Sequence, residues 1–155
     1  MSETAIYQFI HLLFTVFWIG GMTFMHFVLN PAMSAISPPE AGKLMGVVAK
    51  RFTIIAWAST VLLLITGLLK TPAGLLLDTS TTYGSILLLK HIAFGVMMIN
   101  GLIITFGVAP KLRSFAPKEG ERPAAEFLGA RKRLGTLSGL NMILGIVVLL
   151  LISLV

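Results

Sequence analysis

The chain has 155 residues, of which 56% are hydrophobic and only 12% charged, and its mean hydropathy is +0.94. A soluble domain carries about 25% charged residues, so this chain has too little polar surface to face water, and it is far too apolar to be disordered. It contains no cysteine, which excludes disulfides, thiolate catalysis, iron–sulfur clusters and thiolate zinc sites.

A membrane helix needs ~20 mostly apolar residues, so four of them fit in this length with short loops and no second domain. The first span is expected at about 6–28, ended by Asn30-Pro31, because proline lacks an N–H and the residue before it avoids helix. The second runs at about 52–69. Its helix starts earlier, with Ser37 as N-cap and Pro38-Pro39 in the first turn, so that Glu40 to Arg51 forms an amphipathic lead-in. The third runs at about 83–108, capped by Thr81 or Thr82 and stopped by Pro110. The fourth runs at about 134–155, and Pro123 opens its helix early, with 124–133 as a wet first half. The fold class is all-α: a single polytopic membrane domain, a four-helix bundle running up-down-up-down. No cleavable signal is expected, because the first span is too long for one and lacks a charged leading region.

The net charge of +6 takes its meaning from where the charges sit. Lys43, Lys50 and Arg51 fall in the loop at about 31–51. Lys111, Arg113, Lys118, Arg122, Arg131, Lys132 and Arg133 fall in the loop at about 110–133. These are ten of the twelve basic residues. The positive-inside rule therefore places both loops in the cytoplasm and both termini outside, in a multi-pass protein of the inner (plasma) membrane. The basic runs are read as topology and contact with anionic lipid, with no nucleic-acid role.

Polar side chains are costly inside a bilayer, so they carry the functional information. All three histidines, His11, His26 and His91, fall in spans, as does Lys90. At 1.5 Å per residue, His11 and His91 lie ~8 and ~12 Å below the outer boundary on helices that run the same way. Two imidazoles at matched depth suit the axial positions of a heme b, with Gly95 leaving room on the third helix and Lys90 reaching back to a propionate. The plain alternative is that these groups snorkel or join helices by hydrogen bonds.

His26 lies 15 residues beyond His11, too deep to share that site. With Met22 and Met25, and with Met97 and Met98 of the third helix, it offers imidazole and thioether to copper. The plain alternative is methionine filling gaps in a core. Asn100 and Asn141 are expected to join helices. Gly20-Gly21 and Gly135-x-x-x-Gly139 are expected to permit close packing. Trp18 and Trp57 pack either on a flat ligand or on neighbours. All six acids lie in the tail and loops, so hydrolysis by a carboxylate pair has no support.

Ile10-His11-Leu12-Leu13 with Phe17-Trp18-Ile19-Gly20-Gly21 resembles the opening helix of copper-resistance protein D (CopD) domains and of HemJ-type protoporphyrinogen oxidases. Lys50-Arg51-Phe52 leading to Ile65-Thr66-Gly67-Leu68-Leu69 is similar to their second helix. The run Thr82 to Lys90 is similar to the start of the third helix of CopD domains. The resemblance implies a four-helix membrane bundle, with the helix-one histidine carried onto His11 and the helix-three lysine onto Lys90. It implies either a b-type heme and protoporphyrinogen oxidation, as in HemJ-like members, or copper import or tolerance, as in CopD-like ones. HemJ-type proteins have a histidine two residues before that lysine. Here Leu88 holds that position and His91 follows the lysine, a change of phase of 100° per residue.

Three readings follow. The leading one is a heme b electron-transfer protein with His11 and His91 as axial ligands and Lys90 as propionate partner. It would act within a larger membrane complex or homo-oligomer, pass electrons to quinone or a partner, and have a HemJ-like oxidase as its enzymatic variant. The second is a copper-handling protein without heme, using His26, Met22, Met25, Met97 and Met98, with His11 and His91 at the outer mouth. The third is an accessory subunit whose polar residues only join helices, with Gly135 and Gly139 at its contacts.

Overall fold

A computed structural model describes residues 3–117 and 121–154. Lys118 and Val155, the last residue of the expected fourth span, lie outside the described residues. Four long helices account for the architecture: α1 (Glu3–Ala35), α2 (Pro38–Lys70), α3 (Thr82–Ser114) and α4 (Ala125–Ser153). No strand occurs among the described residues. Helices of 33, 33, 33 and 29 residues rise about 43–50 Å, more than the ~30 Å hydrocarbon core, so they tilt or extend beyond it.

The expected starts hold at three helices. Glu40 accepts hydrogen bonds from the backbone N–H and the hydroxyl of Ser37, closing the first turn of α2 with Pro38 inside it. Thr81 caps α3, its Oγ1 accepting from Gly84 N–H at 3.0 Å. A side chain at Gly84 would strike the Asp78 carbonyl, so this glycine lets the α2–α3 loop fold back on the helix start. In that loop the Asp78 carboxylate accepts from the Ser80 hydroxyl and, at 2.8 Å, from Ser80 N–H, which together hold its carboxyl below the usual carboxylate range. α4 opens at Ala125, close to the expected early start after Pro123.

Pro31 and Pro110 do not stop their helices, and the expectation that they would is corrected. A π-helical stretch, Met25–Leu29, precedes Pro31, and another, Ile103–Val108, precedes Pro110. Beyond each the α-helix resumes, to Ala32 and to Ser114. Proline lacks the N–H for an i→i−4 bond and clashes with that carbonyl. Widening the turn just upstream moves the carbonyl aside, so the chain passes the proline while still wound. Only residues 36–37 then separate α1 from α2, and most of the expected loop at 31–51 is helix.

Successive helices run antiparallel. α1 lies along α2 and α4, and α3 lies along α4. α3 reaches α2 through Trp57 Nε1–H, which donates to Thr105 Oγ1 at 3.1 Å. Asn100 donates to Asn141 Oδ1 at 3.0 Å, and Asn141 donates to Met97 O at 3.1 Å, joining α3 to α4 as expected. The core is one cluster: Trp18, Ile19 and Met22 from α1, Leu63 from α2, Met97 from α3 and Met142 from α4. Trp18 meets Phe94 edge-on, with centroids 5.8 Å apart. Outward, large apolar side chains such as Val16, Phe27 and Phe106 are exposed along the helices. A surface this apolar is stable only in contact with lipid, and the chain is an integral, multi-pass membrane protein.

The close packing expected at the glycines is found at Gly21 and is corrected at Gly20 and Gly135. Nothing lies within 4 Å of where a side chain would start at Gly20 or Gly135, and at Gly139 only the His26 ring comes to 3.9 Å. The tight approaches are at Gly21, which faces the Phe52 ring, and at Gly145, where an added Cβ would sit 3.1 Å from Ile19 Cγ1. GxxxG spacing identifies where helices can approach, and the partner helix decides where they do.

Candidate functional site

His11 sits a little over two turns into α1, and the antiparallel pairing sets it against the last turns of α2. Its Nδ1 lies 2.7 Å from Thr66 Oγ1. The Thr66 hydroxyl in turn donates to Leu62 O, one turn back along α2, at 2.6 Å. A hydroxyl has one hydrogen to give. With that hydrogen on Leu62, Thr66 can only accept from the imidazole, so Nδ1 carries the proton. Nε2 is then an unprotonated lone pair, and no hydrogen bond occupies it among the described residues. A backbone-anchored partner that fixes one ring nitrogen and frees the other is the usual outer shell of a metal-ligating histidine.

One cavity brings the expected groups together. It lies between the helices, has a volume of about 80 Å³, and is lined by His11, Trp18, Lys90, His91, Phe94 and Met97 among others. His11 and His91 come from the diagonally placed helices α1 and α3, as matched depth predicted. His91 Nδ1 is buried without a hydrogen bond; the Leu87 carbonyl one turn earlier faces the ring but does not reach bonding geometry. Lys90 is half-buried and forms no ion pair among the described residues. Lys70 donates to Gln8 Oε1 just beyond the His11–Thr66 pair, and the charges of Lys70 and Lys90 both reach His11. The upper end of the cavity is thus basic, and the imidazoles of His11 and His91 are the groups in its lining with ring nitrogens that could hold a metal.

Gly95 faces open space and does not line the cavity. Met22 and Met97 meet in the core, but Met25 and Met98 are only half-buried and lie outside it. His26 is exposed and stands edge-on to Phe27 at 5.2 Å. The proposed copper set of His26 and four methionines is therefore not gathered at one place. Among the described residues no group of three or more His, Cys, Asp or Glu comes together.

Heme fits the donor set better than it fits the space. Two imidazoles with lysines nearby are suitable axial and propionate partners, but pockets for organic ligands run to ~300–1,000 Å³. A cavity of about 80 Å³ accommodates an ion and a few waters. As the helices are packed, with Trp18 and Phe94 in contact between them, a macrocycle does not fit.

Sequence reasoning missed Thr66, Ser59 and Met142. Thr66 and Ser59 carried a signal, being polar, within the second span and on one face of α2, seven residues apart. Met142 carried none apart from its type. Lys70 carries only a topology signal in the sequence, and its place against Gln8 depends on the α1–α2 pairing.

A model of the family described as copper resistance protein D matches residues 46–155. The match covers most of α2 and all described residues of α3 and α4. It includes Lys90 and His91 and leaves α1, with His11, outside. No curated protein and no solved structure matches the chain.

Proposed function

From the premise that this chain belongs to the copper resistance protein D family, we propose that it is a copper-handling membrane protein whose ion enters at the His11–His91 cavity. The observation that carries this reading is the hydrogen-bond relay from Leu62 O through Thr66 to His11 Nδ1, which leaves Nε2 as a free lone pair. His91 supplies the second imidazole from across the bundle. Imidazole suits copper, and the cavity has the size of an ion with its waters. Thr66 orients His11, and the packed Trp18–Phe94 pair keeps bulk water from the lower cavity. Lys70 and Lys90 add positive charge, which opposes any cation but opposes a monovalent one less than a divalent one.

Under this reading the protein lies in the inner membrane with both termini and the Lys70–Thr82 connection outside, as the basic residues direct. The cavity then opens toward the outer side, and lipid and further membrane subunits or a second copy are its partners.

The test is a metal analysis and an absorption spectrum of the protein purified in detergent after growth with copper and heme supplied. Copper at a stoichiometric level, lost in His11→Ala, supports the reading. A Soret band with sharp reduced bands that vanish in His11→Ala and His91→Ala would replace copper with heme b, and with it restore electron transfer, quinone and HemJ-like oxidation. Neither metal nor colour would leave the accessory-subunit reading.

A further inference from the structure

Three of the six side chains in the buried core cluster are methionines, and they come from three different helices. Met22 of α1 is 7% exposed, Met97 of α3 is 3% and Met142 of α4 is 6%. Their levels agree. Ile19 touches the Gly145 position, and α1 and α4 run antiparallel. Three residues onward from Ile19 is Met22 and three back from Gly145 is Met142, so both lie about 4.5 Å deeper at one level. Met97 sits near the Met142 level on α3, its carbonyl accepting from Asn141 at 3.1 Å, and its Cε reaches up to 3.5 Å from where a Gly145 side chain would start.

The remaining helix, α2, contributes an unpartnered polar atom. Ser59 is 0% exposed and its Oγ has no hydrogen bond. It lies one turn before Leu63, a member of the cluster. It is seven residues below Thr66, as Trp18 is seven below His11, so Ser59 lies at the level of Trp18. A buried hydroxyl without a partner is costly, and a bound ion or its water would supply the missing partner.

We propose that Met22, Met97 and Met142, with the Ser59 hydroxyl about one helical turn above them, form an internal thioether site for Cu(I), one step deeper than the His11–His91 cavity. The proposal rests on the copper reading and adds the oxidation state and the second station. Thioethers are neutral and soft and select Cu(I) over hard or divalent ions. No carboxylate lines the cavity above, and Lys70 and Lys90 near its mouth make a monovalent ion the least costly to admit. Met97 lines that cavity as well as belonging to the cluster, which makes it the link between the two stations.

The test uses the full chain in lipid nanodiscs, titrated anaerobically with Cu(I) against a chromophoric chelator, with copper-edge X-ray absorption on the loaded protein. The expected result is sulfur in the copper shell, with sulfur lost and affinity reduced at least ~10-fold in Met97→Leu and Met142→Leu, volume-conserving changes that cores tolerate. Met45→Leu, outside the cluster, binds as the parent does. Selenomethionine-labelled parent protein gives a readout that needs no variant: selenium neighbours of copper are expected. A nitrogen-only shell without selenium overturns the thioether site and leaves the histidine reading standing. Absence of Cu(I) binding overturns both.

Discussion

The imidazole Nδ1 of His11 and the hydroxyl of Thr66, 55 residues apart in sequence, meet at 2.7 Å, and the threonine can only accept because its own hydrogen is given to Leu62 O. The pair therefore sets a tautomer as well as a position. Thr66→Val keeps the shape, removes the acceptor and lets the ring turn or change tautomer. The expected outcome is a ~10–100-fold loss of copper affinity, the usual range for an outer-shell partner. Thr66→Ser is expected to retain most of it. A Cu(I) competition titration measures both, and equal affinity in Thr66→Val would remove the tautomer argument.

Asn100 and Asn141 form the polar tie between α3 and α4. Interhelical hydrogen bonds in membranes average ~0.6 and reach ~1.7 kcal/mol in double-mutant cycles. Asn100→Ala, Asn141→Ala and the double variant, followed by unfolding in mixed micelles, are expected to give a coupling in that range. Asn141→Ala is expected to be the costlier single change, since it also frees the Met97 carbonyl.

Glycine spacing and glycine contact make opposite predictions. At Gly145 an added Cβ falls 3.1 Å from Ile19 Cγ1, so Gly145→Val is expected to cost about 1–3 kcal/mol by overpacking. At Gly135 nothing lies within 4 Å, so Gly135→Ala is expected to be neutral or to stabilise by up to ~1 kcal/mol through helix propensity. Thermal unfolding of the two variants side by side decides, and a destabilised Gly135→Ala would reveal a partner at that face.

The lack of native cysteine allows a direct test of orientation. Leu77 is 81% exposed in the α2–α3 loop, and Phe115 is 43% exposed just after α3. In intact cells, a membrane-impermeant maleimide is expected to label Leu77→Cys. Phe115→Cys is expected to react only after permeabilisation. The reverse pattern would invert the topology and put the His11 cavity on the cytoplasmic side.

Composition and hydropathy alone determined that this is a membrane protein with four spans, because burying ~20 apolar residues per helix is a local property that no tertiary contact can alter. The starts at Ser37 and Thr81 were equally legible, since a cap is a bond between near neighbours in sequence. The shared cavity of His11 and His91 was legible from depth, which follows from rise per residue. Three features were decided only by the tertiary structure. One was how the helices pass Pro31 and Pro110, where packing of the helix beyond the proline repays a π-helical turn. Another was which glycines touch a neighbour, because that depends on the rotation of each helix about its axis. The third was the grouping of Met142 with Met22 and Met97, and of Thr66 with His11. Depth along a helix is written in its sequence, but the phase of one helix against the next is set by side-chain packing between them.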